Sequence, residues 1–162
     1  MVRVFELCTV QISAVKQLIE ALREILTDTN IEFLSEGVKI AATDPSATIL
    51  VHLFLEADKF ESYHCPKPLL AGINMLNLFK LTKTLVNDDT LTLFIDEENQ
   101  SKLGLRIENK KKNSVTTYHL NLLDVDEDSV SAPPVNFGHM ITMPSTDFQK
   151  VCRDAYNVSD VI

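Results

Sequence analysis

The sequence predicts an α+β fold with largely antiparallel sheet, and three observations carry that prediction. Within residues 1–122 the order strand, helix, strands occurs twice. The strand-like segments are joined by short polar turns, as hairpins require. Helical periodicity enters only once per copy, too rarely to supply the crossovers of a parallel sheet.

The first copy opens with a strand from Arg3 to Val10. Ser13 then stands as N-cap of SAVKQLIEALREILT, a helix over residues 13–27 in which Val15, Leu18, Ile19, Leu22, Ile25 and Leu26 recur at helical spacing. IEFLSEGVKIAATD reads as two short strands turning at Glu36–Gly37. ATILVHLFLE and FESYHC continue the series as strands. The second copy begins at AGIN, a strand that enters the helix MLNLFKLTKTLV, taken as residues 74–86. Three strands follow, DTLTLFID, KLGLRIE and SVTTYHLNLL, turning at Glu97–Ser101 and Asn109–Asn113.

From Leu123 the composition changes. LDVDEDSVSAPPVNFG holds four carboxylates and two adjacent prolines, the profile of an exposed connector. The expected organisation is a first domain over 1–122, an acidic connecting loop over 123–137, and the start of a second domain over 138–162. That last stretch reads as a short strand before Met143, a cap at Ser145, and an amphipathic helix over 146–157 with Phe148, Val151, Cys152 and Ala155 on one side. The second domain is therefore expected to be cut short. A proteolytic cut between Asp124 and Phe137 is expected to release the first domain intact.

Hydrophobic residues at 45% and charged residues at 23% are a globular composition. The net charge of −8 argues against bulk attraction to nucleic acid or to an anionic membrane. Cys8, Cys65 and Cys152 form no CxxC, and an odd number of thiols behind no secretory leader fits a reducing, intracellular setting. No apolar run approaches the roughly 20 residues that span a bilayer.

The search for chemistry returns little. Four dispersed glycines make neither a phosphate cradle nor a dinucleotide fingerprint. His64 and Cys65 are neighbours on a strand and face opposite ways, so they do not form a base–nucleophile pair. Asp124, Asp126 and Asp128 alternate as in a calcium loop, but Ser129 stands where glycine is needed and Val135 where glutamate is needed. NKKKN is a strand-to-strand turn, and Asn157-Val-Ser means little without secretion. No catalytic residue, metal or cofactor is expected.

Charge distribution says more than its sum. The three helices carry Lys16, Arg23, Lys80, Lys83, Lys150 and Arg153 against four carboxylates, a balance of +2, which leaves −10 on the rest of the chain. Each basic pair has a helical spacing of three or seven, and so lies on one side, read here as the side away from the apolar stripe. A single helix with such a pair is an ordinary solvated face. Three of them in an acidic chain would suit a phosphate backbone if they lined one surface.

LIEALREIL, GVKIAATDPS, FESYHC, NLFKLTKTL, DDTLTLFIDE, YHLNLLDVDED and MPSTDFQKVCRD, in that order, resemble the proliferating cell nuclear antigen family of DNA sliding clamps. The resemblance implies the DNA-clamp fold, with antiparallel sheets backing two helices in each of two domains. It implies a non-enzymatic processivity factor acting in replication and repair. When full length, three subunits would close head to tail around duplex DNA, contacting its backbone without sequence preference. The six basic helix residues then fall at DNA-facing positions. A groove for client peptides with aromatic plugs would use Thr43, Leu50, Val130, Ala132 and Pro133. DNA polymerase, flap endonuclease, ligase and an ATP-driven clamp loader would be the clients. Subunit contacts would involve Leu81, Thr84, Tyr118 and Leu120 on one side and Ala155 and Val158 on the other. The setting implied is the nucleus, or a viral replication site for a virus-encoded chain, with no membrane partner. The alternative reading is a truncated paralogue that binds client peptides as a monomer without encircling DNA.

Overall fold

The computed structural model describes residues 2–125 and 136–158, and the chain divides into two units, Met1–Ala132 and Pro133–Ile162. In the first unit, alternating burial sets the strands. Along β1 (Arg3–Thr9) the side chains of Phe5, Leu7 and Thr9 are buried and those between them are less so. After it come α1 (Ile12–Ile25), β2 (Asp28–Leu34), β3 (Gly37–Thr43), β4 (Leu50–Glu56), a single 3-10 turn at Ala57–Lys59, and β5 (Ser62–His64). The second copy is β6 (Leu69–Asn74), α2 (Met75–Thr82), β7 (Asp89–Asp96), β8 (Asn99–Asn109) and β9 (Ser114–Asn121). The α+β reading with antiparallel sheet and two helices in this unit is what the chain forms.

The two copies interlock. One sheet, here called A, has the order β5-β1-β7-β8-β9; the other, B, has the order β4-β3-β2-β6. The first strand of each copy thus completes the other copy's sheet: β1 pairs with β7, as in Leu7↔Leu93, and β6 pairs with β2, as in Ile31↔Ala71. Every pairing is antiparallel. Neither copy has a complete sheet alone, so the two share one core. Phe5 of sheet A stacks on Phe33 of sheet B with ring centroids 4.0 Å apart. Ile19 and Leu22 of α1 and Met75 and Leu78 of α2 close the same cluster. Each fully buried aliphatic or aromatic side chain of this kind contributes about 1.5–3 kcal/mol through burial alone.

Several local expectations are corrected. Ser13 is not the cap of α1; the helix starts at Ile12 behind Gln11, whose side chain makes no capping bond. Just before the helix the hydroxyl of Thr9 accepts the Gln11 amide (3.0 Å), and Ser13 Oγ is within bonding distance of Gln17 Nε2 (3.2 Å). The helix α2 stops at Thr82, short of Val86, where the Thr82 hydroxyl bonds back to Leu78 O (3.0 Å). Its start is capped by Asn74, which accepts the Asn77 amide (2.9 Å). In the second unit α3 (Ser145–Val158) is present, but Ser145 is its first residue and not its cap. The short strand expected before it is absent: residues 139–144 lie in no strand, since no described segment offers them a ladder. No helix among the described residues is long and apolar enough to cross a membrane.

Candidate functional site

In the first unit α1 and α2 lie side by side and antiparallel. Lys16 Nζ donates to Leu85 O just beyond α2 (2.7 Å), and the Arg23 guanidinium lies 4.1 Å from the centroid of the Phe79 ring. These contacts correct one expectation. Lys16 and Arg23 flank the buried stripe beside Ile19 and are half-buried in the seam, not turned away from it. Arg23 also pairs with Glu24 (2.7 Å), and its Nε is buried without an acceptor. The outermost side of α1 is occupied by Gln17, Glu20 and Glu24, all exposed.

Lys80 and Lys83 are different. Leu78 and Thr82 turn α2's buried side to the core; Lys80 lies on the opposite side and Lys83, the C-cap residue, on the flank next to it, and both are exposed. Neither forms an ion pair with another described residue. Two unneutralised ammonium groups one helical turn apart, beside a half-buried lysine and arginine, form a positive strip on an acidic chain. On α3 of the second unit, Lys150 and Arg153 are likewise exposed, opposite the stripe of Phe148, Val151 and Ala155. The lysine run forms a turn over 110–113 in which Asn113 has φ 47 and Lys111 pairs with Asp88 (2.9 Å).

A second surface lies on the outer face of sheet B. Thr43 and Leu50 are cross-strand partners at one end of the β3–β4 ladder, with Leu50 39% and Phe54 44% exposed on the same strand. Between them the loop 44–49 is built around one carboxylate. Asp44 accepts the amides of Thr48 (2.8 Å) and Ile49 (2.7 Å) and the Ser46 hydroxyl. Ala47 at the tip has φ 54. Bonding to Ser46, then to the Ile49 amide, lowers the Asp44 carboxyl from 3.8 to about 2. The other groove residues expected, Val130, Ala132 and Pro133, lie outside the described residues.

That depressed value gives a prediction with a definite sign. A lowered folded-state pKa means the loop's stabilisation is complete above 3.8 and is lost as pH falls through about 2. Asp44→Asn removes the charge at neutral pH, so the Thr48 and Ile49 amides should exchange roughly tenfold faster. Exchange rates equal to the parent's, or a parent carboxyl titrating at the ordinary 3.8, would rule out this role for Asp44.

At the far edge of sheet A, β9 is exposed along most of its length, as an unpaired edge strand is. Tyr118 (37% exposed) and Thr84 line one recess there, and Thr84 Oγ1 donates to Leu81 O (2.8 Å). The side chain of Leu120, implied by the resemblance at a subunit contact, is 9% exposed and packs in the core. On α3, Ala155 is half-buried and Val158 is exposed. Cys65 is buried and its thiol is pushed up by burial, while His64 is exposed. That is the reverse of an activated nucleophile.

Sequence reasoning missed two positions. Asp44 carried a signal in TDPSAT, since Asp before Pro initiates turns. Gly72 is a lone glycine in a strand, a mark of close backbone approach. A carbon placed on its Cα would meet Leu123 O at 2.2 Å.

The family model described as "Proliferating cell nuclear antigen, N-terminal domain" matches residues 4–130. The chain is 33% identical over 156 residues to the "Probable DNA polymerase sliding clamp 1" of Paramecium bursaria Chlorella virus 1. That alignment covers 96% of this chain and 60% of the relative, so the chain spans less than two thirds of the relative's length.

Proposed function

The chain belongs to the proliferating cell nuclear antigen family, and from that premise we propose that it serves as part of a ring that encircles duplex DNA and tethers DNA polymerase. The observation that carries the DNA-facing part is the strip on α2. Lys80 and Lys83 are exposed and unpaired among the described residues, beside Lys16 and Arg23 in the helix seam. Such a strip holds phosphates without reading bases, which permits sliding. Lys150 and Arg153 of α3 would extend it in the assembled ring.

The ring would be a homotrimer of full-length subunits, joined head to tail through β9, with Leu81, Thr84 and Tyr118 meeting the α3 side, Ala155 and Val158, of a neighbour. Clients such as polymerase, flap endonuclease, ligase and the clamp loader would dock on sheet B around Thr43 and Leu50, together with Val130, Ala132 and Pro133. Tethering raises their effective concentration at the template without new chemistry. The work would be done in the nucleus, or at a viral replication site for a virus-encoded chain.

Topology supplies the test. The assembled protein, loaded on nicked circular duplex DNA, should stay bound through a high-salt wash and be released when the circle is cut. Equal retention on circular and linear DNA would refute encirclement and favour a client-binding module that acts without a ring.

A further inference from the structure

The segment after β9 does not leave the first unit freely. The Leu122 amide donates to Ser101 O (2.9 Å), and the Leu123 amide donates to Gly72 O (2.8 Å) on the edge of sheet B. One step further, Asn30 Nδ2 donates to Val125 O (3.0 Å). Gly72 and Asn30 are direct cross-strand partners on β6 and β2. The chain therefore bonds first to the edge strand and then to the strand inside it, crossing onto the same sheet that carries Thr43 and Leu50.

The seat is shaped for this segment. A Cβ on Gly72 would lie 2.2 Å from Leu123 O and 2.8 Å from Val125 Cγ2. The first of these atoms is backbone, so any side chain at 72 must lift the segment. Gly72 has no positive φ, so the demand is for space and not for conformation. Leu123 also caps the β6 edge, whose backbone groups would otherwise be free to pair elsewhere.

We propose that Gly72 and Asn30 are positioning residues for client binding. Gly72 fixes the place where the connecting segment meets sheet B, and Asn30 holds Val125 over the strand inside that edge. Neither is assigned a contact with the client; both act through Leu123 and Val125. The inference rests on the client-docking reading of sheet B given above. It adds that affinity is set partly at a seat remote from the groove.

The test uses the 162-residue chain and a short fluorescein-labelled peptide carrying paired aromatic side chains. Gly72→Ala, Asn30→Ala and Asn30→Asp are compared with the parent. The aspartate keeps the shape of Asn30 and lacks its N–H donor, so a packing role would be spared and a bonding role lost. Each variant should weaken peptide binding roughly fivefold, the loss of about one net hydrogen bond, and speed exchange of the Leu123 amide, with the melting temperature little changed. Parent and variants binding the peptide equally would overturn the proposal and leave the docking reading standing. Weaker binding with Leu123 still protected would overturn it too. A parent that does not bind the peptide would overturn the docking reading itself. Should Gly72→Ala fail to fold, the two Asn30 variants decide.

Discussion

Replacing Lys80 and Lys83 together by glutamate is expected to lower affinity for duplex DNA by about 100-fold near 0.1 M salt. Each phosphate contact contributes about 0.9 to the slope of log affinity against log salt, so two lost contacts remove nearly two from that slope. Reversal adds repulsion to loss. The fold should survive, because both side chains are exposed and surface changes of this kind usually cost about 0.5 kcal/mol or less. The loss should be the same for any DNA sequence. Reversing Glu20 and Glu24 to lysine on the outer side of α1 should act in the opposite sense. A salt titration in which the double glutamate variant keeps the parent's slope and affinity would remove α2 from the DNA-facing surface.

The seam explains why Lys80 and Lys83 are chosen over Lys16 and Arg23. Lys16 is committed to Leu85 O and Arg23 to Phe79 and Glu24, so replacing either changes helix packing as well as charge. The sequence showed all four as basic residues at helical spacing. It did not separate them, because a residue at the border of a stripe and one opposite it differ by a fraction of a turn.

Other features divide along the same line between local and long-range causes. Polar turns and strand-like composition placed β7 and β9 closely, but β8 starts at Asn99, three residues before KLGLRIE, so the turn expected over Glu97–Ser101 is only Glu97–Glu98. The exchange of β1 and β6 between the two copies was not legible, because pairings such as Leu7↔Leu93 join residues far apart in the chain. The resemblance implied Tyr118 and Leu120 together at a subunit contact, and they do share one face of β9, opposite Leu105 and Leu103; the Leu120 end of that face is buried and the Tyr118 end partly open, a difference set by long-range packing. Ser13 lies inside α1, which starts one residue earlier behind an uncapped Gln11, and Thr82 bonds back to its own helix.

Gly37→Ala is expected to destabilise the first unit by about 3 kcal/mol, with a fall of roughly 10 °C in melting temperature. Gly37 opens β3 with φ 150, a conformation other residues rarely adopt. Its neighbours are also unyielding. A Cβ there would lie 2.0 Å from Leu55 O, 3.0 Å from Leu55 C and 3.1 Å from Ala57 N, all backbone atoms. No rotamer change relieves such contacts; β4 itself must move. Gly37 is paired with Glu56 in the β3–β4 ladder, and Gly37 O lies 2.9 Å from the Tyr63 hydroxyl, which also reaches Leu34 O at 2.6 Å. Displacing β4 therefore strains the ladder that ends at Thr43 and Leu50, and it disturbs the tie between the β2–β3 turn and β5. Ser35→Ala, in the same turn but exposed, is the control and should change stability by about 0.5 kcal/mol or less. Thermal unfolding of both variants checks the argument. A Gly37→Ala chain that melts within about 2 °C of the parent would show that β4 yields at little cost, and that this corner of sheet B is not a rigid support for the proposed docking surface.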